Sequence, residues 1–156
     1  MNTTSIGLNK EKAKNLTVSL NTLLSNFQVY YQNLRGLHWN IKGKSFFELH
    51  VKYEEFYTDS QIKIDLIAER ILTLGGTPLH TFKEYSELSK VAVGKNITTG
   101  EEGVQLVVNS LNELLILERG ILNESADAND EGTNAMMSDL IAEQEKKLWM
   151  LNAWLN

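Results

Sequence analysis

Hydrophobic residues along this chain recur at steps of three and four, which is the period of an α-helix with one buried face. Four long segments carry this pattern, and Gly, Pro or short polar stretches separate them. No segment shows the alternation that is typical of a half-buried β-strand. The predicted long helices are 9–36, 45–74, a segment that begins near Gly100, and a segment that follows the interruption at 127–132 and continues to Leu155.

Capping and helix-breaking residues predict where the helices begin and end. Ser45 with Glu48, and Thr81 with Glu84, have the spacing of a capping box, in which a hydroxyl and a carboxylate satisfy free backbone amides. Gly75-Gly76 is expected to end the second long helix. A short helix is therefore predicted after Thr81, within the connection between the second and third long helices.

This long connection indicates the topology. A four-helix bundle with one long crossover has the ferritin-like arrangement, whereas a simple up-and-down bundle has only short connections. The length of 156 residues fits one domain. The sequence therefore predicts an all-α, ferritin-like four-helix bundle that spans 1–156 as a single domain, with a short extra helix in the crossover.

The composition excludes several classes of site and protein. Because the chain has no Cys, any metal site must use His and carboxylate ligands. No apolar stretch approaches the roughly 20 residues of a membrane span, and the N-terminal segment lacks the apolar core of a signal peptide. We therefore expect a cytoplasmic protein without membrane association. The net charge of -5 disfavours a surface built to bind nucleic-acid phosphates.

The second predicted helix carries a regular pattern of His and carboxylate residues. His50 and Glu54 are four residues apart and therefore project from one face, and Asp65 and Glu69 repeat this step. His38 lies at the end of the first helix. Fifteen residues separate His50 from Asp65, about 22 Å along an unbroken helix, so one ion cannot bind both pairs within one chain.

Two antiparallel copies of the second helix would bring the two pairs together. The contact between the copies would then be centred near Asp59 and Ser60. The resulting site would have nitrogen and oxygen ligands, which suit Fe(II), Mn or Zn, and would leave positions open for an oxidant.

Each of these residues also has a purely structural interpretation. Acid pairs at this spacing, such as Asp65 and Glu69, are common on solvated helix faces. A His near an apolar stretch is more often structural than a ligand, which applies to His38, and His80 lies in a loop. Trp39 is expected in the core, as aromatic residues at helix ends usually are.

Several segments, in their order and spacing, resemble the signature of the Dps family, the small ferritins named for DNA protection during starvation. The resemblance covers nearly the whole chain. It rests on His38-Trp39-Asn40-Ile41-Lys42-Gly43, Phe46-Phe47-x-Leu49-His50, Asp65-Leu66-Ile67-Ala68-Glu69-Arg70-Ile71, Leu74-Gly75-Gly76-x-Pro78, Glu143-Gln144-Glu145-Lys146 and Trp149-Met150-Leu151.

The resemblance implies an iron-oxidising (ferroxidase) centre between two subunits. In that family two His and an acid come from one chain, and an Asp and a Glu come from its two-fold mate. These ligands correspond here to His38, His50 and Glu54, and to Asp65 and Glu69. The acid four residues after the second His is often Asp in the family, so Glu54 is a departure from the pattern.

The resemblance further implies a function and an assembly. Twelve subunits, built from two-fold dimers, would form a hollow shell that oxidises Fe(II) preferentially with hydrogen peroxide, stores ferric mineral and protects against oxidative stress. Acids near the turn between the last two long helices line three-fold pores in the family. Asp127, Asp130 and Glu131 are the corresponding candidates, with a solvated, helix-capping turn as the alternative.

Other functions on the same fold remain open from the sequence. The nearest is a nucleoid protein whose main role is DNA compaction, and another is a receptor-binding or adhesion protein. DNA binding in the family commonly depends on a Lys-rich terminus, whereas this chain has only Lys10, Lys12 and Lys14, beside Glu11. We therefore expect weak or absent DNA binding. A ferritin-type site inside one bundle is disfavoured because the chain contains no Glu-x-x-His step.

Overall fold

The computed structural model describes residues 2–156, which form five α-helices and no β-strand beyond one isolated bridge between Thr3 and Asn9. No helix in this described part combines the length and the apolar character needed to cross a membrane. The predicted all-α fold, with a short helix in the crossover, is confirmed. The helices are α1 Lys10–Asn40, α2 Phe46–Thr73, α3 Phe82–Leu88, α4 Gly100–Asp127 and α5 Glu131–Leu155.

The core lies between the four long helices, where α1 packs against α2 and α4, and α4 packs against α5. The apolar positions predicted for the first helix are all buried, as helical periodicity requires. Gly103 permits close approach of α4 to α2, because a Cβ atom there would lie 2.5 Å from the Tyr53 hydroxyl oxygen. The buried core positions of α1 are Leu16, Leu20, Leu23, Phe27, Tyr30, Leu34 and Leu37.

Three Asn side chains on α1 fasten the long crossover to the bundle. The Asn21 amide oxygen accepts from the backbone amide of Leu79 at 2.8 Å. Asn26 accepts from the backbone amide of Val91 at 3.1 Å, and Asn33 donates to the carbonyl of Ala92 at 2.7 Å. Each contact satisfies backbone groups of a segment that has little secondary structure of its own.

Of the two predicted capping residues, one caps its helix and the other does not. The Thr81 hydroxyl caps α3 by accepting from the backbone amide of Glu84 at 3.3 Å, as expected. Ser45 makes no side-chain cap, so the capping box predicted with Glu48 is wrong. Ser45 has φ -92° and ψ 13°, a turn conformation, whereas capping residues are typically extended.

The first helix continues past Gly36, where it was predicted to stop, and ends at Asn40. The chain reverses at Gly43, as its position between His38 and His50 predicts, and the φ of 105° there is readily adopted only by Gly. The last turn of α1 carries His38 and places this residue beside the first turns of α2.

Candidate metal centre

The imidazole rings of His38 and His50 are stacked where α1 and α2 meet. Their centroids are 3.8 Å apart and their planes differ by 10°. His38 belongs to the last turn of α1, and His50 to the second turn of α2. The turn that joins the two helices is anchored by a hydrogen bond from the Lys42 amide to the carbonyl of Thr98, at 2.9 Å.

Reciprocal hydrogen bonds fix both rings. His38 Nδ1 lies 2.6 Å from the carbonyl oxygen of His50, and His50 Nδ1 lies 2.7 Å from the carbonyl oxygen of His38. A carbonyl can only accept, so each Nδ1 is the donor, and in the neutral ring each Nε2 then keeps a free lone pair. This is the tautomer that a metal-binding imidazole requires, with its second nitrogen held by a backbone carbonyl.

The end of α1 explains why the carbonyl of His38 is available. In a continuing helix, the amide of residue 42 would donate to it. The chain leaves the helix after Asn40, and the Lys42 amide donates to Thr98 instead. The carbonyl group thus remains free to accept from His50.

Aromatic side chains enclose the two rings. Phe46 stacks on His50 with centroids 4.9 Å apart, and Tyr57 meets His38 edge to face at 5.5 Å. His38 is only 8% exposed, and His50 is half-buried. Packing and hydrogen bonding together therefore hold both Nε2 atoms in place before any ligand binds.

The three candidate carboxylates differ from the His pair in their environment. Glu54, Asp65 and Glu69 are exposed, and their carboxylates make no hydrogen bond or ion pair with any residue of 2–156. Within that range, no group of three or more His, Cys, Asp or Glu residues lies close enough to hold a metal ion. One chain therefore brings His38 and His50 together but does not bring Asp65 and Glu69 to them.

An exposed stripe along α2 contains all three carboxylates together with large apolar side chains. Its members recur at steps of three and four, so they share one face of the helix. Phe47 is 82% exposed and Ile62 is 62% exposed, which is unusual for such residues on one helix face. The α2 stripe consists of Phe47, Val51, Glu54, Thr58, Ile62, Asp65, Glu69 and Leu72.

The helix–helix contact centred near Asp59 and Ser60 stays a prediction, and the structure shows which side chains face outward at that point of α2. Ser60 is buried, and Asp59 faces α5, where its carboxylate pairs with Lys147 at 2.6 Å. Ser60 therefore cannot contact a second copy of α2, and the carboxylate of Asp59 is engaged within its own chain. Midway along the helix, the exposed stripe instead presents Thr58 and Ile62.

The neighbours of the His pair include residues that the sequence reasoning missed. Phe46 lies four residues before His50, and Tyr57 lies seven residues after it. Both spacings keep residues on one face of a helix, so they could have indicated these two neighbours. Trp39 is 57% exposed, so its predicted place in the core is wrong; the Arg35 guanidinium lies 4.9 Å from its ring centroid. His80 bonds within the crossover, 3.0 Å from the carbonyl of Pro78.

The three candidate pore acids occupy two different environments. Asp127 and Glu131 are exposed. Asp130 is only 2% exposed; its carboxylate pairs with Arg70 at 2.5 Å and caps α5 by accepting from the backbone amide of Thr133 at 3.1 Å. Asp130 is therefore not available to line an aqueous pore, and its helix-capping alternative is the one that the structure supports.

Comparisons with known proteins agree with this architecture. Residues 18–156 match the family of ferritin-like domains. The chain is 40% identical over 148 residues to a DNA protection during starvation protein of Porphyromonas gingivalis, covering 95% of this chain and 93% of that protein. It is 46% identical over 153 residues to an uncharacterised protein of Haemophilus influenzae, covering 98% and 96% of the two chains.

A solved structure gives the same result. The crystal structure of a Dps protein from Vibrio cholerae O1, described as a member of a broad superfamily of ferritin-like diiron-carboxylate proteins, matches with a TM-score of 0.98 at 49% identity. The match covers 100% of this chain and 98% of that one. The chain therefore belongs to the Dps family of ferritin-like proteins.

Proposed function

We propose that this protein is an iron-oxidising and iron-storing mini-ferritin, with a ferroxidase centre shared between two copies of the chain. The observation that carries the proposal is the stacked pair of His38 and His50, whose Nδ1 atoms are held by hydrogen bonds and whose Nε2 lone pairs are free for a metal. The general function, iron handling by a ferritin-like diiron-carboxylate protein, is supported by membership of the family.

The α2 stripe supports the sharing of the site. An antiparallel copy of α2 placed on the stripe would bring Asp65 and Glu69 of one chain towards His50 and Glu54 of the other. The same packing would remove Phe47, Val51 and Ile62 from water. Burial of each such side chain contributes roughly 1.5–3 kcal/mol, so this burial favours the same contact that completes the site.

The ligand set fits Fe(II) as a substrate. Neutral imidazole nitrogens and carboxylate oxygens suit iron, and carboxylates stabilise the higher charge of the Fe(III) product. Two Fe(II) ions each give one electron to hydrogen peroxide, which takes up two protons and leaves as two water molecules. Glu54 reaches further than an Asp at this position would, so its carboxylate can meet an ion at a greater distance from α2.

Storage completes the proposal. Two-fold dimers would assemble into a closed shell of twelve subunits, in which the ferric product is deposited as mineral. Consumption of Fe(II) and peroxide together prevents them from reacting freely in solution, so the protein would protect the cell against oxidative stress.

The oxidation step can be tested on the wild-type protein. After anaerobic loading with Fe(II), hydrogen peroxide is expected to produce the ferric absorbance rapidly, with one peroxide consumed for two Fe(II), whereas air-saturated buffer should act much more slowly. Absorbance and residual peroxide are measured after separate additions. Oxidation no faster than that of Fe(II) in protein-free buffer would contradict the proposal.

Entry of iron gives a second expectation. We propose that Asp127 and Glu131 contribute to negatively charged pores that draw cations inward. The Asp127→Asn/Glu131→Gln protein should take up Fe(II) several-fold more slowly at low ionic strength. The difference should fade in about 1 M salt, where the Debye length falls to about 3 Å. Equal rates of Fe(II) uptake by the variant and the wild type at low salt would show that the two acids have no role in iron entry.

DNA compaction is the alternative function, and the N-terminal segment disfavours it. This segment is folded back on itself: the Lys10 amide donates to the carbonyl of Asn2 at 3.0 Å. The Lys12 ammonium donates to the carbonyl of Asp127 at 2.5 Å. One of the few basic groups near the N-terminus is thus already bound to the end of α4.

We therefore expect no retardation of duplex DNA in a gel-shift assay at physiological salt and neutral pH, because the chain carries a net charge of -5. Binding that occurs only at low salt or acid pH would reflect a neutralised surface and would agree with the proposal. Retardation that persists at physiological salt would instead favour the DNA-binding alternative.

A further inference from the structure

A polar cluster occupies the interior of the bundle, separate from the proposed ferroxidase centre. It consists of Tyr30 on α1, Glu118 on α4 and Gln144 on α5, and all three side chains are buried. Burial of a carboxylic acid among packed helices is costly unless its polar atoms are bonded, so the hydrogen bonds of the cluster need to be accounted for.

The hydrogen bonds between Glu118 and Gln144 are incomplete if the carboxylate is ionised. Gln144 Nε2 donates to Glu118 Oε2 at 2.7 Å. Glu118 Oε1, Gln144 Oε1 and the Tyr30 hydroxyl are buried without a partner among the described residues. The two Oε1 atoms are both acceptors when Glu118 is ionised, so neither can satisfy the other.

We propose that Glu118 is protonated on Oε1 at neutral pH and donates this proton to Gln144 Oε1, and that loss of the proton in alkaline solution opens the pair and loosens the bundle. The acid and the amide then form a closed ring of two hydrogen bonds. This arrangement satisfies both unpartnered acceptors with groups that are already present. When the proton leaves for solvent, two acceptor oxygens and a buried negative charge remain.

The positively charged side chains around the cluster are not free to balance the charge of an ionised Glu118. Lys147 pairs with Asp59 at 2.6 Å, and Lys63 pairs with Glu143 at 2.9 Å. These Lys residues of α2 and α5 thus already have carboxylate partners.

The remaining charged neighbour on α4 leads to the same conclusion. Arg119 is half exposed and pairs with Glu145 at 3.0 Å. Burial raises the pKa of Glu118 to about 8, although the Gln144 hydrogen bond and the positive charges of Arg119 and Lys147 lower it. On α1, burial also raises the pKa of Tyr30, so that the phenol stays protonated.

The direction of the pH effect follows from linkage. Glu118 has a higher pKa in the folded protein than its ordinary value of 4.5, so the folded state binds the proton more tightly than the unfolded chain. The contribution of Glu118 to stability is therefore present at acid pH and is lost as the pH rises from about 4.5 to about 8.

The test compares the wild type with Glu118→Gln as assembled full-length protein. A Gln at position 118 can make both bonds with Gln144 at every pH, because its amide supplies the donor that the carboxylate lacks. Between pH 5 and pH 8, the folding equilibrium constant of the wild type should fall by roughly a few hundredfold relative to that of the variant. Denaturation is followed at equal protein concentration, with Glu113→Gln on the same helix as the matched control.

A second measurement detects the proton on Glu118 directly in the wild type, with the two variants as controls. At pH 7 the wild type should show the infrared C=O stretch of a buried protonated carboxylic acid, and this band should disappear as the solution is made alkaline. Glu113→Gln should retain the band, and Glu118→Gln should lack it. Parallel stability profiles for the wild type and Glu118→Gln, or absence of the band from the wild type at pH 7, would overturn the inference.

Discussion

The His38→Ala/His50→Ala protein should oxidise Fe(II) with hydrogen peroxide at least about a hundredfold more slowly than the wild type. Loss of a group that merely orients a metal ligand typically costs 10–100-fold in affinity or activity, and this variant lacks two of the proposed ligands themselves. Initial rates of ferric absorbance, measured at equal Fe(II) and peroxide, provide the test. The expectation assumes that the variant still assembles, which light scattering establishes.

Asp65→Ala/Glu69→Ala should have a similar effect through the other half of the site. Both carboxylates are exposed and unpaired within residues 2–156, so their removal should leave the fold of the chain intact. The matched control is Glu55→Ala, since Glu55 is also an exposed acid on α2 but pairs with Lys52 at 2.7 Å. A wild-type rate in either double variant would exclude those residues as iron ligands.

Asp130→Ala should have the largest effect on stability, destabilising the protein by about 3 kcal/mol. The substitution removes the cap of α5 and leaves the guanidinium of Arg70, only 17% exposed, without its carboxylate. Asp130→Asn should be milder because Asn is also a good capping residue. Denaturant midpoints are compared at equal protein concentration, since assembly makes stability depend on concentration.

The exposed pair of Arg119 and Glu145 is a suitable control for this prediction. Both side chains are about half exposed, so Glu145→Ala should change stability by less than about 1 kcal/mol. If Asp130→Ala were no more destabilising than Glu145→Ala, the carboxylate of Asp130 would have no structural role, and its possible place in a pore would be open again.

The helices and their buried faces could be predicted from the sequence because one local rule governs them. A step of three or four residues decides which side chains of a helix face inward, and Leu16, Leu23 and Leu34 obey it. The long crossover could also be predicted, because Gly75-Gly76 ends α2 well before α4 begins. Ser45 failed as a cap because its backbone conformation depends on the adjoining turn at Gly43.

Features of the site that depend on distant residues could not be predicted. The stacking of His38 on His50 requires α1 to continue past Gly36, and the free carbonyl of His38 requires an amide to bond with Thr98. The role of Asp130 depends on Arg70, which is 60 residues away in the chain. Neither local spacing nor composition contains this information.

The face that α2 presents to a partner could not be predicted from the spacing of the proposed ligands alone. Pairing of the ligand positions indicates the midpoint of the contact along the helix but not the side chains that face outward there. Asp59 and Ser60 lie at this midpoint and face the bundle, whereas Thr58 and Ile62 face away from it.

The central claim is that each ferroxidase centre takes ligands from two chains, and mixing the two inactive double variants tests it most directly. The His38→Ala/His50→Ala and Asp65→Ala/Glu69→Ala proteins are dissociated, combined in equal amounts and reassembled. Random pairing makes half of the dimers mixed, and each mixed dimer has one intact site and one site that keeps only Glu54, so about a quarter of the wild-type activity should return. Reassembled shells of verified mixed composition that recover no Fe(II) oxidation would contradict the shared site.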